Sequence, residues 1–436
     1  MKKFFYNIKN ISEITELKKR LINTIKCIII FRIGSYIVLP GIDTSKLSGK
    51  TEGIFKLLDT FLGGAFSNIS IFGLGIMPYI SASIAMQIIT IIVPYFQKIK
   101  QEGESGKNKI NNITKLATIF IGIIQSIGYL SSFIPNEIII IDKGIFTALS
   151  TIILISGTMF CIWIGDRITE KGIGNGISIL IMTGIISSFP SAIISESISL
   201  GSKKIILFII EIIVLFIIIM LVIMFTQAVR KIPIQYARET IENKLHNETK
   251  KYIPIKVNSS GVMPIIFAQT LMFLPPLIMN VWSKNNKNLS DFTTWEYNLI
   301  FSILIILFTF LYNKITINIR NISNEIKKNK GFVPGIKPGK DTSKFIKKIL
   351  NKITLPGAIF LVSIAILPSI AHLMGISKNF SKFYGGTSLI IIVSVVLETL
   401  KQIESYILMN YYDKIIKSKN ISIKNDYYFK KIKLKK

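Results

Sequence analysis

The sequence predicts an all-α polytopic membrane protein, and three observations carry that prediction. Half of its 436 residues are hydrophobic, and the mean hydropathy is +0.51. The formal net charge is nevertheless +29, a combination that apolar spans alternating with basic loops explain together. Apolar runs of spanning length recur near 21–39, 75–93, 115–134, 146–164, 177–195, 205–226, 264–282, 297–313, 355–374 and 387–409, which makes ten spans. No polar stretch between them is long enough to bury a core of its own, so a single membrane-embedded body is expected.

The first 20 residues, MKKFFYNIKNISEITELKKR, are charged and lead into a run without a small-residue cleavage pattern. They read as a retained cytoplasmic segment and not as a signal peptide. Both cysteines, Cys27 and Cys161, fall inside expected spans, which favours small core residues over a disulfide or metal site. An even number of spans puts both termini on one side. With the N-terminus inside, 40 Lys and Arg fall in the inner segments against 10 in the outer ones. The positive-inside rule therefore assigns both termini to the cytoplasm.

The stretch 58–94, LDTFLGGAFSNISIFGLGIMPYISASIAMQIITIIVP, departs from simple alternation. Residues 60–72 are apolar but reach only about 20 Å as a helix, too short for a hydrocarbon core of about 30 Å. Gly73 and Gly75 loosen the backbone, and Pro78 suits the first turn of a full span over 75–93. Two readings stay open. The segment is a re-entrant half-helix leading into a span, which at membrane depth implies a wet or protein-lined pathway, or it is an external amphipathic loop before an ordinary helix.

Two inner segments stand out by length, 227–260 and 314–354; both are basic and punctuated by Pro or Gly. Charge alone fits ordinary loops. Gly331, Pro334, Gly335, Pro338 and Gly339, crowded together, describe instead a defined basic tip suited to RNA phosphates or an acidic protein surface. The tail 410–436 is basic without a motif and reads as a solvated or headgroup-facing end.

Catalytic signatures are absent: the sequence holds no Walker A, HExxH or GxSxG motif, and GIGNGIS at 172–178 lacks the strand a dinucleotide loop requires. No enzymatic activity and no cofactor or metal are expected. Ionisable residues at membrane depth are Arg32, Glu211, Glu398, Lys401 and Glu404, which are functional candidates by default but sparse for an ion relay. Ile76, Ile80, Ser83, Gln87 and Thr90 form one face of the second span, apolar and then polar toward the cytoplasm. That gradient suits a funnel narrowing to a hydrophobic constriction. Equally, the polar groups could bond neighbouring helices in an ordinary packed interface.

Seven segments in order carry a family resemblance: GIMPYISASI at 75–84, KQEGESGKNKI at 100–110, ITEKGIGNGISI at 168–179, RKIPIQYA at 230–237, SGVMPIIFA at 260–268, GFVPGIKPG at 331–339 and FYGGTSLIIIV at 383–393. Together they resemble the SecY family, the channel subunits of bacterial preprotein translocases, which are similar to the eukaryotic and archaeal alpha subunits. The resemblance implies ten transmembrane helices in two pseudo-symmetric inverted five-helix halves, 21–195 and 196–409, with 60–72 as a re-entrant plug half-helix. It also implies a channel in the bacterial cytoplasmic membrane that threads unfolded secretory polypeptides across and releases hydrophobic segments sideways into lipid.

Carried over by motif, a constriction ring would comprise Ile76, Ile80, Ile177, Ile181, Ile266 and Ile391. The plug would include Phe61, Gly63, Gly64, Ala65, Phe66 and Ile69, its small residues allowing close packing. A lateral gate would lie between Ser83 and Gln87 on the second span and Gln269 and Thr270 on the seventh. Arg230, Lys231, Arg238, Lys337 and Lys340 would serve docking of the SecA motor and the ribosome, with contact to ribosomal RNA through the basic loops. Other partners implied are the SecE and SecG subunits, signal-sequence-bearing polypeptides and membrane lipids. One departure is Lys337, where the family usually carries arginine; lysine keeps the charge but loses the planar fork.

A competing class is a secondary transporter of a small solute, also built from inverted repeats. It should present convergent polar or charged ligands at the midplane, where the matched residues here are isoleucines. A non-conducting assembly scaffold would explain the basic loops but leave plug and ring without purpose.

Overall fold

The computed structural model describes residues 14–43, 59, 62–66, 68–134, 138–200, 205–236, 251–258, 261–282 and 294–433. The expectations for 1–13, 237–250 and 283–293, and for Phe61 and Arg238, lie outside the described residues. The elements are α1 Thr15–Gly34, α2 Met77–Ile92, α3 Pro94–Gln101, α4 Glu104–Phe133, α5 Lys143–Lys171, α6 Gly176–Leu200, α7 Ile205–Gln227, β1 Val229–Tyr236, β2 Lys251–Lys256, α8 Met263–Trp282, α9 Trp295–Thr316, α10 Ile319–Lys328, β3 Gly331–Phe332, α11 Lys340–Leu373, α12 Lys378–Ser381 and α13 Gly386–Lys433.

Ten of these helices, α1, α2, α4 to α9, α11 and α13, fall on the ten apolar runs. By length and composition, seven described helices can cross a membrane, and α2 with α3 forms a further pair bent by 99°. The bend sits at Val93, where Pro94 cannot continue the preceding hydrogen-bond ladder. In α1 the charges Lys18, Lys19, Arg20, Lys26 and Arg32 dilute an otherwise apolar face.

Helix adjacency repeats between the two halves. In the first, α1 packs on α5 and α6, α2 on α4, α4 on α5, and α5 on α6. In the second, α7 packs on α13, α8 on α9, α9 on α11, and α11 on α13, while Phe225 of α7 stacks on Phe360 of α11 at 3.6 Å between centroids. Five spans per half is an odd number, so the second half enters the membrane from the opposite side and is inverted. The halves meet along two seams: α8 lies against α2 and α4, and α6 lies against α13 and α7.

The second seam is pinned by polar contacts. Gly174 N donates to Gln402 Oε1 at 2.6 Å, and the Arg20 guanidinium lies 5.0 Å over the Tyr406 ring. Near the other end of α6, Ser377 N donates to the buried Glu196 carboxylate at 3.0 Å.

Three expectations need correction. The half-helix over 60–72 is helical only at its start, with helical backbone at Leu62. From Gly63 the chain runs in turns, because Gly63, Gly64, Ile69 and Gly75 take left-handed φ of 62°, 89°, 47° and 49°. For the β-branched Ile69 this is a strained conformation, held by bonds of Leu39 N to Ile69 O and Ile69 N to Phe66 O. Second, the inner segments do bury a core of their own, but only jointly. The sheet order is β2-β1-β3, with Val229 opposite Lys256 and Gln235 opposite Phe332. Ile232, Ile234 and Ile255 pack there with Ile326, Val333, Ile346 and Leu350. Third, the segment read as loop through 354 is helical from Lys340, and the tail continues α13 to Lys433. The 34 residues of α11 span about 50 Å, so one end projects beyond the membrane and supplies Ile346 and Leu350 to that small core. Cys161 is buried and Cys27 half-buried, both as free thiols.

Candidate channel and plug

The six isoleucines come from four helices. Ile76 caps α2 and Ile80 lies one turn further along; Ile177 and Ile181 occupy the first turns of α6; Ile266 sits in α8 and Ile391 in α13. All six belong to one hydrophobic cluster, Ile76 and Ile391 buried and the other four half-buried against it, together with Phe72, Ile179, Leu180 and Val395. Both halves therefore contribute to a single apolar contact region. Close backbone approach positions its α6 members: a Cβ on Gly176 would lie 1.9 Å from Gly165 O, and one on Gly165 would lie 3.1 Å from Ile177 Cγ1.

The segment leading into this region is densely packed. Leu62, Ala65, Phe66, Ile69 and Phe72 are buried, and the Phe66 ring lies 4.5 Å from that of Tyr129. Phe72 stacks between Phe31 and Phe160, at 6.0 Å from each. Isolated bridges tie Val38 to Ser70, and Ile71 N donates to Ile37 O at 2.9 Å. Glycine is required at Gly63 by its left-handed φ of 62°, and a Cβ there would also crowd Arg32 Nη1 at 2.4 Å and Ser187 Oγ at 2.5 Å. It is also required opposite the segment at Gly157, where a Cβ would lie 2.3 Å from Ile71 O.

Two donors reach this segment that the sequence reading did not assign. Arg32 Nη1 donates to Gly63 O at 3.0 Å, and Tyr129 Oη donates to Phe66 O at 2.7 Å. In the sequence, Arg32 stands out only as an ionisable group at depth. Tyr129 carried a fainter signal: a phenol inside an apolar span needs a partner for its hydroxyl.

At the α2–α8 seam, Ser83 and Gln87 are half-buried while Gln269 and Thr270 are buried. The side-chain bonds seen there run along single helices. Gln87 Nε2 donates to Ser83 Oγ at 3.3 Å, and Thr270 Oγ1 donates to Ile266 O at 2.8 Å. Among the described residues no hydrogen bond joins Ser83 or Gln87 to Gln269 or Thr270. The contrast with the pinned α6–α13 seam is direct.

Away from the isoleucine cluster, Arg230 and Lys231 are exposed on β1, next to the buried Ile232. Lys337 and Lys340 are exposed at the turn between β3 and α11. That turn is held from two sides: Ser323 Oγ donates to Gly339 O at 2.6 Å and Thr342 Oγ1 to Lys337 O at 2.9 Å. Because β1 pairs with β3, the basic residues of both segments share one platform.

A family model described as SecY matches residues 70–400. A protein translocase subunit SecY of Buchnera aphidicola subsp. Schizaphis graminum is 38% identical over 97% of this chain and 100% of its own length. The Aquifex aeolicus counterpart is 37% identical over 94% and 99%. Among solved structures, one described as "The structure of a protein conducting channel" superposes with a TM-score of 0.65 at 17% identity, covering 89% of this chain and 92% of the other. Another, "Sec61 in the Canine ribosome-channel complex from the endoplasmic reticulum", gives 0.61 at 17% identity, with the same coverage. These two support the fold. With the family model spanning most of the chain and relatives matching along nearly its whole length, the chain belongs to the SecY family.

Proposed function

We propose that this chain is the protein-conducting channel of a Sec translocase in the bacterial cytoplasmic membrane, passing unfolded secretory polypeptides across and releasing hydrophobic segments laterally. The observation that carries this reading is the convergence of Ile76, Ile80, Ile177, Ile181, Ile266 and Ile391, from both halves, on one hydrophobic cluster directly after the buried segment 62–72. Flexible branched side chains can close around a moving chain of any sequence, since they offer contact without directed bonds. When no chain is present the same apolar ring resists wetting and so opposes ion flow. A solute transporter would instead need polar ligands at this point.

The segment 62–72 acts in this reading as the plug. The α2–α8 seam acts as the gate: it lacks the polar pins of the α6–α13 seam, so a hydrophobic signal segment needs to displace mainly side-chain packing to part it. The halves then hinge about the pinned side. Both termini lie in the cytoplasm, as the charge distribution requires. The sheet platform with Arg230, Lys231, Lys337 and Lys340 takes the SecA motor and the ribosome, and SecE and SecG flank the exposed apolar helices. Two of the similar structures are described as ribosome-bound complexes, which supports the ribosome as a partner of this platform.

A photo-crosslinking residue at position 181, with a secretory precursor stalled in mid-transfer, tests the central assignment. An adduct with the stalled chain is expected. Absence of adduct during active translocation would remove Ile181 from the pathway. At the platform, Lys337→Arg is expected to retain or improve motor-dependent transport into reconstituted vesicles, since the guanidinium restores a bidentate donor on a turn already held in place. A clear loss of transport would contradict that role.

A further inference from the structure

We propose that Arg32 and Tyr129 are positioning residues that latch the plug shut by gripping its backbone. The inference rests on the reading of 62–72 as the plug and adds the means by which the closed position is held.

Arg32 occupies the last turn of α1, where Nη1 donates to Gly63 O at 3.0 Å and Nη2 donates to Tyr36 Oη at 3.0 Å. Its guanidinium carbon also lies 5.2 Å from the centre of the Tyr36 ring, so the fork is oriented before it meets the plug. Tyr129, buried on α4, donates to Phe66 O at 2.7 Å with its ring packed on the Phe66 ring. The two carbonyls lie where helical backbone at Leu62 gives way to turns. At this break Gly63 O and Phe66 O each accept a side-chain donor, Phe66 O in addition to the amide of Ile69.

Three features separate a latch from ordinary packing. Both donors stand on the first half, so the plug is tied to one half across the region that both halves line. Both bond to backbone, so neither hydrogen bond requires a polar side chain on the plug. Finally, the Arg32 end faces a cavity of about 300 Å³ also lined by Asp59, Gly64, Asn68, Ser187 and Lys382. Polar groups and space for water at that edge let a released Gly63 carbonyl be resolvated, so the bond is reversible. Arginine at membrane depth is costly and rare, and here it is spent on one moving carbonyl and one neighbouring phenol. Gly63 makes the fit possible, because a Cβ there would collide with Nη1.

The test uses the complete translocase in proteoliposomes, with resting ion conductance measured in the absence of precursor. Arg32→Gln and Tyr129→Phe are each expected to raise resting conductance by roughly tenfold through loss of one hydrogen bond in the closed state. Arg32→Lys, which keeps one charged donor, should give a smaller rise. In a channel lacking 61–71, none of the three should add leak, because the partner carbonyl is gone. Unchanged conductance for Arg32→Gln and Tyr129→Phe in the intact channel would overturn the latch, as would an equal rise in the plug-deleted channel. Should Arg32→Gln fail to accumulate, Tyr129→Phe decides the matter, since it removes one oxygen and keeps the ring. Failure of the deletion itself to cause leak would instead strike the plug reading, so the two failures remain distinct.

Discussion

Replacement of Gly176 by alanine is expected to prevent accumulation of folded channel. The new Cβ would stand 1.9 Å from Gly165 O, 2.7 Å from its carbonyl carbon and 2.9 Å from its Cα. All three are backbone atoms, so no side-chain rotation relieves the overlap. The α5–α6 turn cannot swing away either. Arg20 donates to the carbonyls of Glu170 and Gly172, Ile173 N donates to Thr24 Oγ1 at 3.1 Å, Gly174 N donates to Gln402 Oε1 at 2.6 Å, and Gly176 N donates to Thr169 Oγ1 at 2.9 Å. Relief would break bonds to α1 and α13 together, on both sides of the α6–α13 seam. A cost above about 3 kcal/mol follows from forced overpacking with loss of that network. Gly144→Ala is the control: its Cβ would meet only Asp142 Oδ2, at 4.0 Å, and alanine is the better helix former. Yields and thermal denaturation of the two purified variants should diverge sharply. Equal behaviour would show that α5 and α6 do not cross at these two glycines.

The same turn shows what the sequence could and could not reveal. GIGNGIS was recognisable as a motif, yet its glycines are explained by contacts with residues as distant in sequence as Thr399, whose Cγ2 a Cβ on Gly174 would meet at 2.7 Å. Span positions were legible because the membrane imposes a minimum apolar length on every crossing helix, a local signal. Convergence of the six isoleucines was legible only through the family motifs, since isoleucine is abundant along the whole chain. The joint core of Ile232, Val333 and Ile346 escaped notice because each inner segment alone is too polar to bury one, and pairing of β1 with β3 is non-local. The extension of α11 beyond the membrane was hidden for a related reason. Its charged first turns resemble a loop until the sheet that receives Ile346 and Leu350 is known. In the segment after Leu62, Gly63 and Gly64 were legible as small residues, whereas their left-handed backbone and the donors Arg32 and Tyr129 depend on tertiary placement.

Deletion of 61–71 is expected to raise resting ion conductance by on the order of tenfold or more while leaving precursor transport operating. The deleted stretch carries Leu62, Ala65, Phe66 and Ile69, all buried, and without them the outer side of the isoleucine cluster loses its cover. Resting resistance is then expected to depend on that cluster alone. Four of its members, Ile80, Ile177, Ile181 and Ile266, are only half-buried, so their mobile side chains admit intermittent wetting that the packed segment excludes. Transport should persist because the six isoleucines stand on α2, α6, α8 and α13, and the contacts of α2 with α4, α5 with α6, α8 with α9 and α6 with α13 are not routed through the deleted residues. Single-channel recording before and after addition of precursor separates the possible outcomes. Leak with transport assigns the segment to sealing, whereas loss of both assigns it to scaffolding, since Phe72 would then have lost its place between Phe31 and Phe160. Unchanged resting conductance would mean that six isoleucines suffice as the seal and that the buried turns after Leu62 serve some purpose other than closure.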